Sequence, residues 1–140
     1  MSVSPQHQSL IDTVLHDQQE VQAIYLFGSY GTDDERPESD VDIAILLAPA
    51  QAKKVGLFAL SAMHMALETL LHRPVDVINL RQVSTVLQKE VIAADRCIYR
   101  AAPYAVDEFE MLTLSYYQQL HAERRDIVQA VLEGGRFYQL

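Results

Sequence analysis

Ala23-Ile24-Tyr25-Leu26-Phe27-Gly28-Ser29, ten further residues, and then Asp40-Val41-Asp42-Ile43-Ala44-Ile45-Leu46-Leu47 form the stretch on which the fold turns. The first apolar run, 22–27, is short, rich in Ile, Tyr and Phe, and ends on Gly-Ser, so it reads as a buried strand that stops at a turn. The second, 41–47, opens beside carboxylates and closes at Pro49. Alternate residues of a strand face opposite ways, so Asp40 and Asp42 project from one face, close enough to share a divalent cation. Hard cations such as Mg²⁺ take oxygen ligands, and Gly28 leaves room for a phosphate to approach the backbone. A third acid, Asp76, interrupts the short apolar strand Val75-Asp76-Val77-Ile78. Carboxylates set among Val and Ile are costly without a partner, and three of them point to a shared cation. This is the layout needed to hold a metal-bound nucleoside triphosphate.

Working outward, residues 6–19 read as a helix with Leu10, Val14 and Leu15 as its apolar stripe. The loop 28–39 is rich in Gly, Asp, Glu, Pro and Ser, and a helix is expected to begin near Ser29, whose hydroxyl can cap it. Residues 52–71 read as one helix, apolar nearly all round through Val55, Phe58, Leu60, Met63, Leu67, Leu70 and Leu71, and so buried on more than one side. A strand at 75–78 precedes a shorter helix, 84–94, with Val83, Leu87, Val91 and Ala94 on one face, and Cys97 to Tyr99 suggest a further short strand. After Pro103 comes a long C-terminal helix, about 104–133, its regular part starting at 107 with Asp107 as N-cap and ending at Gly134-Gly135. One stripe on it (Phe109, Leu112, Tyr116, Leu120, Ile127, Val131) is expected to pack on the sheet. A second set (Met111, Leu114, Tyr117, Val128) is left for a partner, with Tyr116, Tyr117 and Leu120 as the candidate contacts. Alternating strands and helices argue an α/β (α+β) fold.

The 140 residues make one domain, 1–140, with 49% hydrophobic and 21% charged residues, as in ordinary globular proteins. A net charge of −8 with only 11 Lys and Arg disfavours a protein that tracks a polynucleotide. It does not oppose a nucleotide substrate, and it suits a basic protein partner. The single cysteine, Cys97, forms no internal disulfide and reads as a structural thiol in a reducing compartment. Neither a membrane span nor a secretory leader is apparent, so the cytoplasm is the expected location. The five histidines show no paired ligand spacing, and zinc is not indicated.

The Gly-Ser, spacer, Asp-x-Asp pattern with its third acid resembles the signature of the nucleotidyltransferase superfamily that includes DNA polymerase beta. The resemblance implies a short mixed sheet with flanking helices and the site at its open edge. It implies that Asp40, Asp42 and Asp76 are the catalytic and metal-holding residues, with Asp40 and Asp42 bridging two Mg²⁺ ions. Asp76 would complete the ion nearer the nucleophile and relay its proton, while Gly28 and Ser29 would bind the triphosphate, Ser29 from a helix start. Many small bacterial relatives carry an arginine just after Gly-Ser; here the residues are Tyr30, Gly31 and Thr32, and Arg36, the nearest cation in the loop, has no assigned role.

Later blocks, Val75-Asp76-Val77-Ile78-Asn79-Leu80-Arg81, Ser84-Thr85-Val86-Leu87 and Tyr117-Gln118-Gln119-Leu120-His121-Ala122-Glu123-Arg124, narrow the resemblance to the minimal nucleotidyltransferase (MNT) antitoxins, which pair with HEPN-domain RNase toxins. That family implies transfer of AMP from ATP to a tyrosine beside the toxin's RNase motif, within a hetero-oligomer. The toxin's own motif, Arg followed by His-x-Tyr, is absent here. A binding antitoxin acting by occlusion, an aminoglycoside-type small-molecule nucleotidyltransferase, and a nucleic-acid-directed transferase remain as alternatives. Intact acids weigh against the first, the lack of a further substrate domain against the second, and the charge against the third.

Overall fold

The two apolar runs on either side of the Gly-Ser loop pair antiparallel in the computed structural model, which describes residues 5–56 and 60–134. Strand β1 is Ala23–Phe27 and β2 is Val41–Leu46, in a register that sets Phe27 opposite Asp42 and Ala23 opposite Leu46. A parallel neighbour needs a crossover. Helices α2 (Pro49–Val55) and α3 (Ser61–Leu71) lie between β2 and β3 (Val75–Asn79), which pairs parallel to β2. Strand β4 (Cys97–Arg100) pairs antiparallel to β1 on its other side, completing the order β3-β2-β1-β4. The short mixed sheet expected from the sequence is present.

Strand alternation gives the sheet two apolar faces. Ile24, Leu26, Ile43 and Ile45 meet Leu10, Ile11 and Val14 of α1 (Pro5–Asp17) and Met63 and Leu67 of α3. On the opposite face Tyr25, Ala44 and Leu46 meet Val91 of α4 (Thr85–Ala93) and Val106 and Phe109 of α5 (Pro103–Gly134). Ser84 caps α4 by accepting from the Leu87 N–H at 3.2 Å. Buried Asn79 ties the sheet to α2, donating from Nδ2 to the carbonyls of Ala52 at 2.9 Å and Gly56 at 3.2 Å.

Five expectations are corrected. No helix starts at Ser29: residues 29–40 run as turns, because Gly28 and Gly31 take φ of +75° and +78°, values incompatible with a right-handed helix. The helix foreseen over 52–71 is two, broken at Gly56, whose φ of +65° ends α2 while its N–H donates to Ala52. Phe58 lies outside the described residues. Helix α3 is buried on one side only, since Leu70 is exposed. Asp107 is not an N-cap: α5 begins at Pro103, and Asp107 pairs with Arg100 at 2.7 Å.

The fifth correction concerns the faces of α5. Val106, Phe109 and Thr113 are buried and Tyr117 is half-buried; Leu112 and Ile127 of the stripe expected on the sheet are exposed, while Met111, Leu114 and Val128 of the partner set and the candidate contacts Tyr116 and Leu120 are exposed as expected. The helix has 32 residues and a length of about 48 Å, while its buried side chains end at Thr113. Its later turns outrun the sheet.

Candidate active site

Register brings the acids together. The parallel pairing of β2 and β3 makes Asp42 and Asp76 direct partners across the ladder, so their side chains leave the sheet side by side. Alternation puts Asp42 on the face of Ala44 and Leu46, and Asp76 on that of Ile78, the side that α4 and α5 cover further along. Asp40 sits one residue before β2, exposed like Asp76, whereas Asp42 is half-buried. Burial raises the Asp42 carboxyl above its ordinary value, and the charges of Asp76 and Asp40 and a hydrogen bond with Asp76 push the same way. Like charges this close resist joint ionisation unless a cation or proton lies between them.

Gly28 closes this corner. It follows Phe27, the residue across the ladder from Asp42, and a Cβ there would stand 2.1 Å from Asp42 Oδ2. No side chain other than hydrogen fits, and φ of +75° independently favours glycine. The backbone of the Gly-Ser loop therefore lies against the carboxylate with nothing between. As the side chains stand, no three His, Cys, Asp or Glu residues among those described are grouped so that they could hold a metal ion. The donor set nonetheless fits a hard cation: three carboxylates on neighbouring positions, one held half-buried by strand register, beside a glycine cradle that a Cβ would fill.

Ser29, half-buried, is held as part of a turn rather than at a helix start. Its carbonyl accepts from the Thr32 N–H at 3.0 Å and the Thr32 hydroxyl at 2.6 Å. Tyr30, the residue just after Gly-Ser, is 5% exposed and belongs to the core, with the Arg73 guanidinium 5.3 Å above its ring. Arg73 also pairs with Glu35 at 2.9 Å, fastening the middle of the loop to the segment before β3. Arg36 is exposed, and its N–H donates to Ser39 Oγ at 2.8 Å. Sequence reasoning missed both cations that reach the loop, Arg73 and Arg96. Arg96, between α4 and β4, donates to the Gly28 carbonyl at 3.1 Å and to that of Tyr30. No periodicity or motif marks it.

Residues 9–104 match the family described as polymerase beta, nucleotidyltransferase. The protein adenylyltransferase MntA of Shewanella oneidensis is 35% identical over 113 residues, which are 80% of this chain and 77% of that protein. A toxin–antitoxin crystal structure containing MntA, solved as a mutant with two Asp-to-Glu changes, superposes with a TM-score of 0.74 at 30% identity, covering 89% of this chain and 97% of the matched one. A toxin–antitoxin structure with AMP-PNP gives 0.70 at 32% identity, covering 89% and 98%. A complex of a tri-AMPylated HEPN toxin from Shewanella oneidensis with an MNT antitoxin gives 0.69 at 30%, covering 91% and 96%.

Proposed function

The chain belongs to the polymerase beta nucleotidyltransferase family, and from that premise we propose that it is an adenylyltransferase antitoxin, moving AMP from ATP to a tyrosine of a cognate HEPN-domain RNase and so neutralising it. The observation that carries the reading is the Asp42–Asp76 ladder pair packed against Gly28. In the reaction the tyrosine oxygen attacks the α-phosphorus of ATP, and the bond from that phosphorus to the bridging oxygen of the β,γ-diphosphate breaks. Pyrophosphate leaves with the bonding electrons. Asp40, Asp42 and Asp76 would hold two Mg²⁺ ions, which when bound screen the triphosphate and polarise the phosphoryl group. Gly28 admits the triphosphate against the backbone, and Ser29 offers it a hydroxyl and an amide. Asp76, exposed near the start of β3, would take the tyrosine's proton. An added AMP puts bulk and negative charge where RNA phosphate must sit on the RNase.

A protein acceptor agrees with a net charge of −8, which leaves little basic surface for a polynucleotide. In this reading a catalytic unit of about 20–100 and the C-terminal helix form one working domain in the cytoplasm, a location in keeping with a lone cysteine. Among the described residues, no helix is long and apolar enough to cross a membrane. Neutralisation by occlusion alone is the second reading, favoured by the apolar side chains that α5 leaves exposed beyond the sheet.

The test is intact-mass measurement of the neighbouring gene product after incubation with ATP and Mg²⁺. Increments of one or more adenylate units are expected. No increment with wild-type chain, in the presence of full protection of cells, would leave occlusion as the mechanism.

A further inference from the structure

The Gly-Ser loop is held from behind by one side chain that the mechanism above does not use. Arg96 follows Asp95, which takes a left-handed φ of +55°, and its backbone carbonyl accepts from the Leu26 N–H at 3.0 Å, anchoring it beside the end of β1. From there the guanidinium donates through Nη1 to the Gly28 carbonyl and through Nη2 to the Tyr30 carbonyl. The carbonyl between them, that of Ser29, is taken by the Thr32 N–H and hydroxyl. Three successive carbonyls are thus occupied by donors of the protein itself. In a trans peptide the N–H points opposite to the C=O, so a clamp on the Gly28 and Tyr30 carbonyls turns the amides of Ser29 and Gly31 away from the guanidinium. Gly31 leaves space for the clamp: a Cβ there would stand 2.9 Å from Arg96 Nη2.

We propose that Arg96 is a positioning residue for the nucleotide, holding the Gly28–Gly31 backbone so that its amides are presented to the triphosphate before ATP arrives. This role rests on the adenylyltransferase reading and deepens it. It assigns to an arginine 66 positions downstream of Tyr30 a loop-ordering task that no residue next to Gly-Ser performs here. The guanidinium fork suits the task because it engages two carbonyls at once, whereas an ammonium offers a single point charge. Its charge also adds to the field felt by an anion on the far side of the loop.

The experiment compares wild type, Arg96→Ala, Arg96→Gln and Arg96→Lys for thermal melt, ATP–Mg²⁺ affinity by calorimetry, transfer kinetics, and deuterium exchange of the peptide spanning 28–36. Loss of a charge-assisted bidentate contact should weaken ATP affinity and raise the KM for ATP about tenfold in the Ala and Gln variants, with the rate at saturating ATP within about twofold of wild type. Lys should fall between, exchange in 28–36 should rise, and millimolar guanidinium should restore part of the affinity of Arg96→Ala only. Equal affinity in wild type and all variants overturns the role of Arg96 while leaving the nucleotide site standing. An affinity loss that merely follows a fall in melting temperature, with no guanidinium rescue, also overturns it, making Arg96 a fold-holding residue. Failure of the wild-type chain to bind ATP would overturn the nucleotide site and this role with it.

Discussion

Asp42 stands under electrostatic tension: it is a half-buried carboxylate with Asp76 beside it and Asp40 two residues away. Ionised and without a cation, it opposes the fold, which predicts a separation of activity from stability. Asp40→Asn combined with Asp42→Asn should lower adenylate transfer by about 10³-fold or more, since the cation loses its ligands. The same double variant should melt at or above the wild-type temperature in metal-free buffer, and Mg²⁺ should raise the melt of wild type only. Undiminished transfer would refute the assignment, and a markedly lower metal-free melt would mean that the acids have structural partners. Gly28 tests the corner from the other side. Gly28→Ala puts a Cβ 2.1 Å from Asp42 Oδ2 at a φ of +75°, so stability should drop by about 1–3 kcal/mol and transfer should fall with it. Calorimetry and intact-mass rates check both.

Among the elements, β1, β4 and the first turns of α5 are locked by one polar knot. The Tyr25 hydroxyl donates to Glu110 Oε2 at 2.6 Å, and Arg100 donates to the same oxygen at 2.9 Å and to Asp107 at 2.7 Å. Burial, then the hydrogen bond to Glu110, hold the Tyr25 phenol far above its ordinary value of 10.0. The folded state therefore keeps a proton that the unfolded chain releases near pH 10. Its contribution to stability is complete below that pH and is lost progressively as pH rises above it. Tyr25→Phe should cost about 1–2 kcal/mol at neutral pH, from the lost hydrogen bond to a carboxylate. Between pH 10 and 11 the wild type should lose roughly 1 kcal/mol more than the variant, measured by urea unfolding at each pH. Equal alkaline slopes would show that Tyr25 ionises in the folded state.

At the scale of the whole molecule, α5 is longer than the sheet can cover, and the surplus is apolar. Leu112, Tyr116, Leu120 and Ile127 are exposed, and the last described turns add Leu132, 76% exposed. Contiguous exposed apolar surface marks an interface, and a partner protein is the expected cover. Tyr117 is different: it is half-buried, with Lys89 Nζ 5.1 Å from its ring centre. Tyr116→Ala and Leu120→Ala should leave the melt of the isolated chain within about 0.5 kcal/mol of wild type and weaken co-purification with the HEPN protein. Tyr117→Ala should instead lower stability by about 1 kcal/mol or more, from lost packing and the lost cation–π contact. If every folded variant co-purifies and protects as wild type does, the partner seats nearer the carboxylates.

Local pattern was enough to place the strands and to single out Gly28, Asp40, Asp42 and Asp76 as candidates, the two carboxylates at 40 and 42 through the two-residue period. These features depend on residues close together in the chain or on a motif compact enough to stand out. The direct pairing of Asp42 with Asp76 came only from the parallel register of β2 and β3, which the crossover decides. How far the covered face of α5 runs likewise came from contact: Tyr116 and Tyr117 differ by one position, and only the place where α4 lies tells which is partly covered. Ser29 lost its expected helix to two glycines at positive φ, a conformation that propensity does not foresee. Arg96 shows the limit most clearly, because a guanidinium that meets Gly28 from 68 residues away leaves no periodic trace in the chain. Periodicity reports how a segment faces its surroundings, while register and long-range polar contacts are set by which segments meet, and that is decided only when the whole chain packs.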